Sequence, residues 1–144
     1  GKYVNDPGAL LSREAVKGRK IRFGAYGDPA LIDSLTFRIL ATACDGHTAY
    51  THQWRESYGQ WTAGWMQASC DGMADYLEAS AMGFKTFSVI PKGSVNYSGK
   101  QCPATVTDSA ATCVSCMLCQ GDKTDIFVEA HGSGAKYIKE ETLA

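Results

Sequence analysis

The sequence predicts an α/β fold: a mostly parallel five-stranded sheet with flanking helices, resembling a partial barrel or half barrel, plus a cysteine-rich loop. Three observations predict it. Short runs of strand-forming residues alternate with helical patterns along most of the chain. Turn and capping residues, among them Gly27-Asp28-Pro29, Asp71 and Gly83, stand where one periodicity gives way to the other. Between the last two strands lies a long segment, residues 91–123, that fits neither pattern and holds four of the six cysteines. The 144 residues are enough for one domain with a real core, so residues 1–144 are taken as a single α/β domain with the cysteine loop inside it.

Residues 9–17 suit a short helix ended by Gly18, and residues 20–26 a first strand. Asp28 is a good N-cap and Pro29 fits a first helical position. A helix over residues 30–43 should follow, burying Ile32, Leu35, Ile39 and Ala43. Residues 47–54 are rich in strand formers, and residues 66–70 give a short third strand after an aromatic stretch containing Trp61 and Trp65. Asp71 can cap a helix that buries Met73, Leu77 and Ala81 and stops at Gly83. Residues 84–90 and 124–130 supply strands four and five, and a C-terminal helix is expected from about Ser133.

The formal charge of −1 gives no global attraction to nucleic acid or anionic lipid. No run approaches the ~20 apolar residues of a membrane span. The basic stretch from Lys17 to Arg22 is expected to be solvated. With no apolar signal-like segment and with its cysteines crowded together, the chain suits a reducing, cytoplasmic setting.

The sharpest chemical signal is the C-x10-C-x2-C-x2-C spacing of Cys102, Cys113, Cys116 and Cys119. Two-residue spacers let neighbouring thiolates turn toward a common centre. Structural zinc sites more often use two separated pairs, whereas a C-x2-C-x2-C run suits three corners of a [4Fe–4S] cluster, with Cys102 as the fourth ligand. Zinc is the alternative, and disulfides or inert thiols the third possibility. Cys44 suits a small buried apolar position, and Cys70 a fifth thiol near the centre.

In a parallel sheet, chemistry belongs beyond the carboxyl ends of the strands. Asp28, His52, Asp71 and His131 all fall there, with Lys92, and are the pocket candidates. Each has a simpler role available: Asp28 and Asp71 as helix caps, His131 as a local hydrogen-bonding group before the last helix. His47 lies an odd number of positions from His52, so a strand would turn them to opposite faces; His47, after Asp45-Gly46, suits a turn. Trp54, Trp61 and Trp65 suit packing or a lid. Gly132-Ser133-Gly134-Ala135-Lys136 lacks full phosphate-loop spacing.

Taken together, the segments Arg22 to Ala30, Gly46 to Trp54, Met66 to Asp71 and Ala81 to Phe87, with Cys102-Pro103-Ala104, the Cys113-x2-Cys116-x-Leu118-Cys119 run and Ala130-His131-Gly132, form an ordered motif set. This set resembles a group of phage and bacterial proteins that includes the gene-product-88-like phage proteins. The resemblance spans about residues 18–134. It implies a phage or mobile-element setting, in a phage-infected or bacterial cell, and a cysteine-bound centre. It also implies a further cysteine-containing segment upstream of Gly1, which would make the whole look like a radical-SAM-type half barrel with an auxiliary cluster. The C-x3-C-x2-C signature of SAM cleavage is absent from these 144 residues. Two functions follow: an iron–sulfur domain of a phage-associated protein, part of a redox or radical-type enzyme, or a zinc-stabilised, non-catalytic module that binds a nucleotide or a host protein. The partner is expected to be a small molecule or a host protein.

Overall fold

A computed structural model of the chain describes residues 13–94, 97–133 and 135–138. Helix α1 (Arg13–Val16) and strand β1 (Lys20–Arg22) lead to a 3-10 turn at Pro29–Leu31 and helix α2 (Ser34–Ala43). Strands β2 (Gly46–Thr48), β3 (Tyr50–Thr51) and β4 (Gln67–Cys70) follow, then helix α3 (Met73–Ala81) and strand β5 (Thr86–Ile90). The cysteine-rich segment contributes β6 (Lys100–Gln101) and helix α4 (Cys113–Cys116) before β7 (Ile126–Glu129). The predicted strands are present but shorter at their ends. The expected helix over residues 9–17 lies partly outside the described residues, and Ala135–Tyr137 forms a 3-10 turn where the last helix was expected.

Among the described residues every strand pairing is parallel, as expected. The five-stranded sheet has the order β3-β4-β5-β7-β6, and β1 pairs with β2. Only Ala49 separates β2 from β3. The Thr48 carbonyl accepts from Phe23 N–H and the Ala49 carbonyl from Gln67 N–H. Successive carbonyls of an extended chain point to opposite edges, so β1 and β4 flank the 46–51 segment on its two sides. The first strands therefore lie beside their chain predecessors, a winding shared with barrel-type folds. The late crossover departs from it: β6 lies outside β7 and pairs with it from Lys100 opposite Ile126.

Register assigns the two faces. Tyr50, Ser69, Phe87, Val89 and Ile126 share one face, and Thr51, Ala68, Cys70, Thr86 and Ser88 share the other. Helices α2 and α3 cover the second face through two apolar clusters. The first gathers Phe23, Phe37, Ala41, Ala49 and Met66, and the second gathers Trp54, Ala68, Cys70, Ala79 and Phe84. The first face is left for the cysteine segment.

Both helices bury a different stripe from the one expected. In α2 the core residues are Phe37 and Ala41, while Leu35 is 65% exposed. The chain restarts at Asp33, whose carboxylate accepts from Thr36 N–H at 2.9 Å, and this turns Phe37 inward. There its ring meets those of Phe23 (4.4 Å), Trp61 (5.5 Å) and His47 (5.6 Å). Burying a phenylalanine contributes about 1.5–3 kcal/mol, and the aromatic partners decide which stripe wins. In α3 only Ala79 is fully buried and Leu77 is half exposed, because Trp54 fills the space under the helix. The Trp54 indole donates to the Ser69 carbonyl at 3.0 Å, and the Arg55 guanidinium lies 3.9 Å over its ring while bridging Asp75 and Glu78 on α3. Trp54, Trp61 and Trp65 are thus packing residues.

Candidate metal centre and the adjoining cleft

The cysteine segment is held on the sheet at several points. Cys102 follows β6: its N–H donates to the Phe127 carbonyl (2.8 Å), and its own carbonyl accepts from Thr105 N–H and Oγ1. Cys113 and Cys116 open and close α4, which starts with a capping box: Thr112 Oγ1 accepts from Ser115 N–H and Ser115 Oγ accepts from Thr112 N–H. At the other end Met117 takes a left-handed conformation (φ 49°), reversing the chain. Carbonyls left over near that end accept from lysines, Val114 from Lys20 Nζ (2.6 Å) and Met117 from Lys123 Nζ (3.1 Å). After the reversal the Cys119 carbonyl accepts from Ala49 N–H at 3.2 Å. That bond sits at the break between β2 and β3.

Removing the capping side chain gives a local test. Thr112→Ala is expected to cost about 1 kcal/mol in the first turn of α4. Amide exchange should accelerate at residues 113–117 while the urea midpoint of the whole chain stays near wild type.

The four clustered cysteines line one cavity of about 20 Å³ together with Thr48, Tyr50 and Ile126 from the first sheet face. Cys113 is exposed, Cys102 and Cys116 are partly buried and Cys119 is buried. Burial pushes the Cys119 thiol up to about 11, the neighbouring thiols of Cys102, Cys116 and Cys113 add to the rise, and a hydrogen bond with Tyr50 opposes it. The Tyr50 hydroxyl is raised above its ordinary range, first by burial and then by Cys119. As they stand, no three His, Cys, Asp or Glu side chains among the described residues are grouped to hold a metal ion. The four residues border a common space without being drawn together on a point. Four soft donors of one kind, in a cavity also walled by Pro103, Ala104 and Leu118, suit a thiolate-bound centre chemically.

A second, larger cleft of about 490 Å³ opens beside this cavity, and Thr48, Tyr50 and Cys113 line both. His52, Cys70 and Asp71 reach it from strand ends, and Arg22, Phe87 and Val89 from the sheet. Of the four pocket candidates, His52 and Asp71 thus border one cleft. Asp71 is not a helix cap: Gly72 holds that position, and the Asp71 N–H instead donates to Asp75 Oδ2 at 3.1 Å.

Asp28 and His131 stand elsewhere. Asp28 caps the 3-10 turn, accepting from Ala30 N–H (2.9 Å), while its other oxygen accepts from His52 N–H (2.8 Å), so it braces the backbone of a cleft residue without lining the cleft. His131 lines a separate space of about 740 Å³ with Lys92, Gln101, Thr105 and Glu129, and its Nδ1 lies 3.0 Å from the Glu129 carbonyl. Strand order explains the split, since β7 is two strands from β4.

Other expectations also change. His47 is a buried strand residue whose Nε2 lies 2.9 Å from the Trp65 carbonyl, not a turn residue. Cys44 is only partly buried, its thiol 3.3 Å from the Gly46 carbonyl. Cys70 packs with the α3 cluster and borders the larger cleft, not the cavity that the four share, and burial, with Asp75 adding, pushes its thiol up to about 12. The basic residues Lys17, Arg19, Lys20 and Arg22 are all exposed, as expected, while Lys20 also tethers α4 and Arg22 lines the cleft. Tyr50, Thr48 and Arg22 were missed; the two-residue alternation of Thr48, Tyr50 and His52 was the available signal. The Gly132 to Lys136 segment includes Gly134, outside the described residues.

No helix among the described residues is long and apolar enough to cross a membrane. No protein-family model, curated protein or solved structure matches the chain.

Proposed function

We propose that this domain carries an iron–sulfur cluster on Cys102, Cys113, Cys116 and Cys119 and serves as the cluster-bearing part of a redox or radical-type enzyme in a phage-associated setting, within the bacterial cell. One observation carries the reading: four cysteines of one segment, two of them from the single turn of α4, line a common cavity against the sheet. The C-x2-C-x2-C spacing supports a cluster over zinc, whose structural sites more often use two separated pairs. Bound there, a cluster would supply one-electron transfer.

The chain's own residues have definable parts in this. The Thr112 capping box and the two lysines hold Cys113 and Cys116 in place, and the Ala49 bond holds Cys119 to the sheet. Tyr50 borders the same cavity as Cys119, where a hydroxyl beside a sulfur can tune a thiolate ligand. Leu118, Pro103 and Ile126 limit water at the sulfurs.

Anaerobic purification, or reconstitution with ferrous iron and sulfide, is expected to give brown protein with a broad band at about 400 nm and about four irons per chain. Stoichiometric zinc without iron would overturn the reading in favour of a zinc-stabilised binding module, and so would absence of any bound metal.

A further inference from the structure

The cleft beside the cysteine cavity has the makings of a ligand site. Its volume of about 490 Å³ lies within the roughly 300–1,000 Å³ usual for small-molecule sites. Tyr50, Phe87 and Val89 present apolar surface, the first two in edge-to-face contact at 5.0 Å. Register with Thr48 puts Arg22 on that same sheet face. Among the described residues its guanidinium makes no hydrogen bond and no ion pair, although the neighbouring Lys20 is engaged with Val114. The side chains of His52 and Asp71, reaching the cleft from the ends of β3 and β4, make none either. Three exposed polar groups that make no protein hydrogen bond thus border one apolar surface.

We propose that this cleft binds a small organic anion, its carboxylate or phosphate on Arg22, its apolar body against Tyr50, Phe87 and Val89, and a hydrogen-bond donor toward Asp71. Arginine suits the anionic end because its planar fork matches both oxyanions in a two-bond arrangement. Asp71 repels a second anion, so the far end of the ligand carries a hydroxyl or amino group. Cys113 borders the cleft and the cysteine cavity alike, which places the occupant next to the proposed centre. The inference rests on the proposed function only in making the occupant what the centre acts on; binding itself requires Arg22 and the apolar surface.

Isothermal titration of the full chain with 4-hydroxyphenylacetate, phenyl phosphate and the uncharged 4-hydroxyphenethyl alcohol tests this, with iron measured in every sample. At least one anionic probe should bind, the alcohol should bind about tenfold more weakly or not at all, and Arg22→Gln should weaken the anion by about tenfold at unchanged iron content. Preference between the two anions tells carboxylate from phosphate. Asp71→Ala should weaken 4-hydroxyphenylacetate and leave phenyl phosphate, which lacks the donor, near wild type. Failure of both anions to bind, or equal binding by wild type and Arg22→Gln, overturns the proposal. Arg22-dependent binding by protein that takes up no iron would leave the ligand site standing and remove the cluster.

Discussion

Replacing Cys119 with Ser is expected to abolish the band near about 400 nm and to lower bound iron to well under half of the wild-type content, with Cys113→Ser and Cys116→Ser doing the same. Cys119 is the most informative of the three. It is buried and bonded through its carbonyl to Ala49, so the sheet holds it as well as the chain after α4. A serine there keeps the backbone bond and nearly the same volume, and removes only the soft donor. Cys44→Ser and Cys70→Ser are the controls. Cys70 belongs to the cluster with Trp54 and Ala79, and Cys44 bonds locally after α2, so both variants should retain full iron. The same metal content in the Cys119, Cys113 and Cys116 variants as in the controls would show that the four thiols are not one unit. Because ligation offsets the entropy of ordering a long segment, iron loss should be accompanied by faster exchange over residues 100–123.

What could be read from the sequence follows from which forces act locally. The parallel strands were legible because Thr86 to Ile90 and Ile126 to Glu129 alternate between faces with β-branched and aromatic residues. Lys100 and Gln101 carry no such pattern, and β6 forms because it pairs with β7 at the sheet edge. The helices were legible and their buried stripes were not. Phe37 and Ala79 turn inward to meet aromatic partners far away in sequence, a tertiary choice that periodicity within one helix does not contain. That the four cysteines border one cavity, and His52 and Asp71 one cleft, follows from short spacing in one case and adjacent strand ends in the other. His131 was misplaced because sharing the carboxyl edge of a sheet does not mean sharing a crevice when strands intervene. Arg22 was hidden in a basic run in which Lys20 bonds the Val114 carbonyl while Arg22 borders the cleft.

Gly121→Ala should be among the most damaging single-methyl additions in the chain, lowering stability by about 2–5 kcal/mol. Its φ of +92° already disfavours any side chain, and a Cβ there would stand 2.2 Å from Met66 N and 2.5 Å from the Trp65 carbonyl carbon. Both obstacles are backbone at the entrance to β4, so no side-chain rotation relieves the clash. The segment must lift away. Two residues upstream Cys119 bonds Ala49, and lifting would break that contact and draw one thiol from the cavity, so iron uptake should fall together with stability. Gly64→Ala separates the two causes of damage. Its φ is +80° but nothing lies within 4 Å of the added carbon, so only the backbone term of about 1–2 kcal/mol remains and iron content should be unchanged. Urea midpoints for the pair, measured beside iron content, decide the matter: equal losses would mean that the segment does not rest on the Trp65-Met66 backbone. A larger loss for Gly121→Ala with iron retained would mean that the contact supports the fold without positioning Cys119.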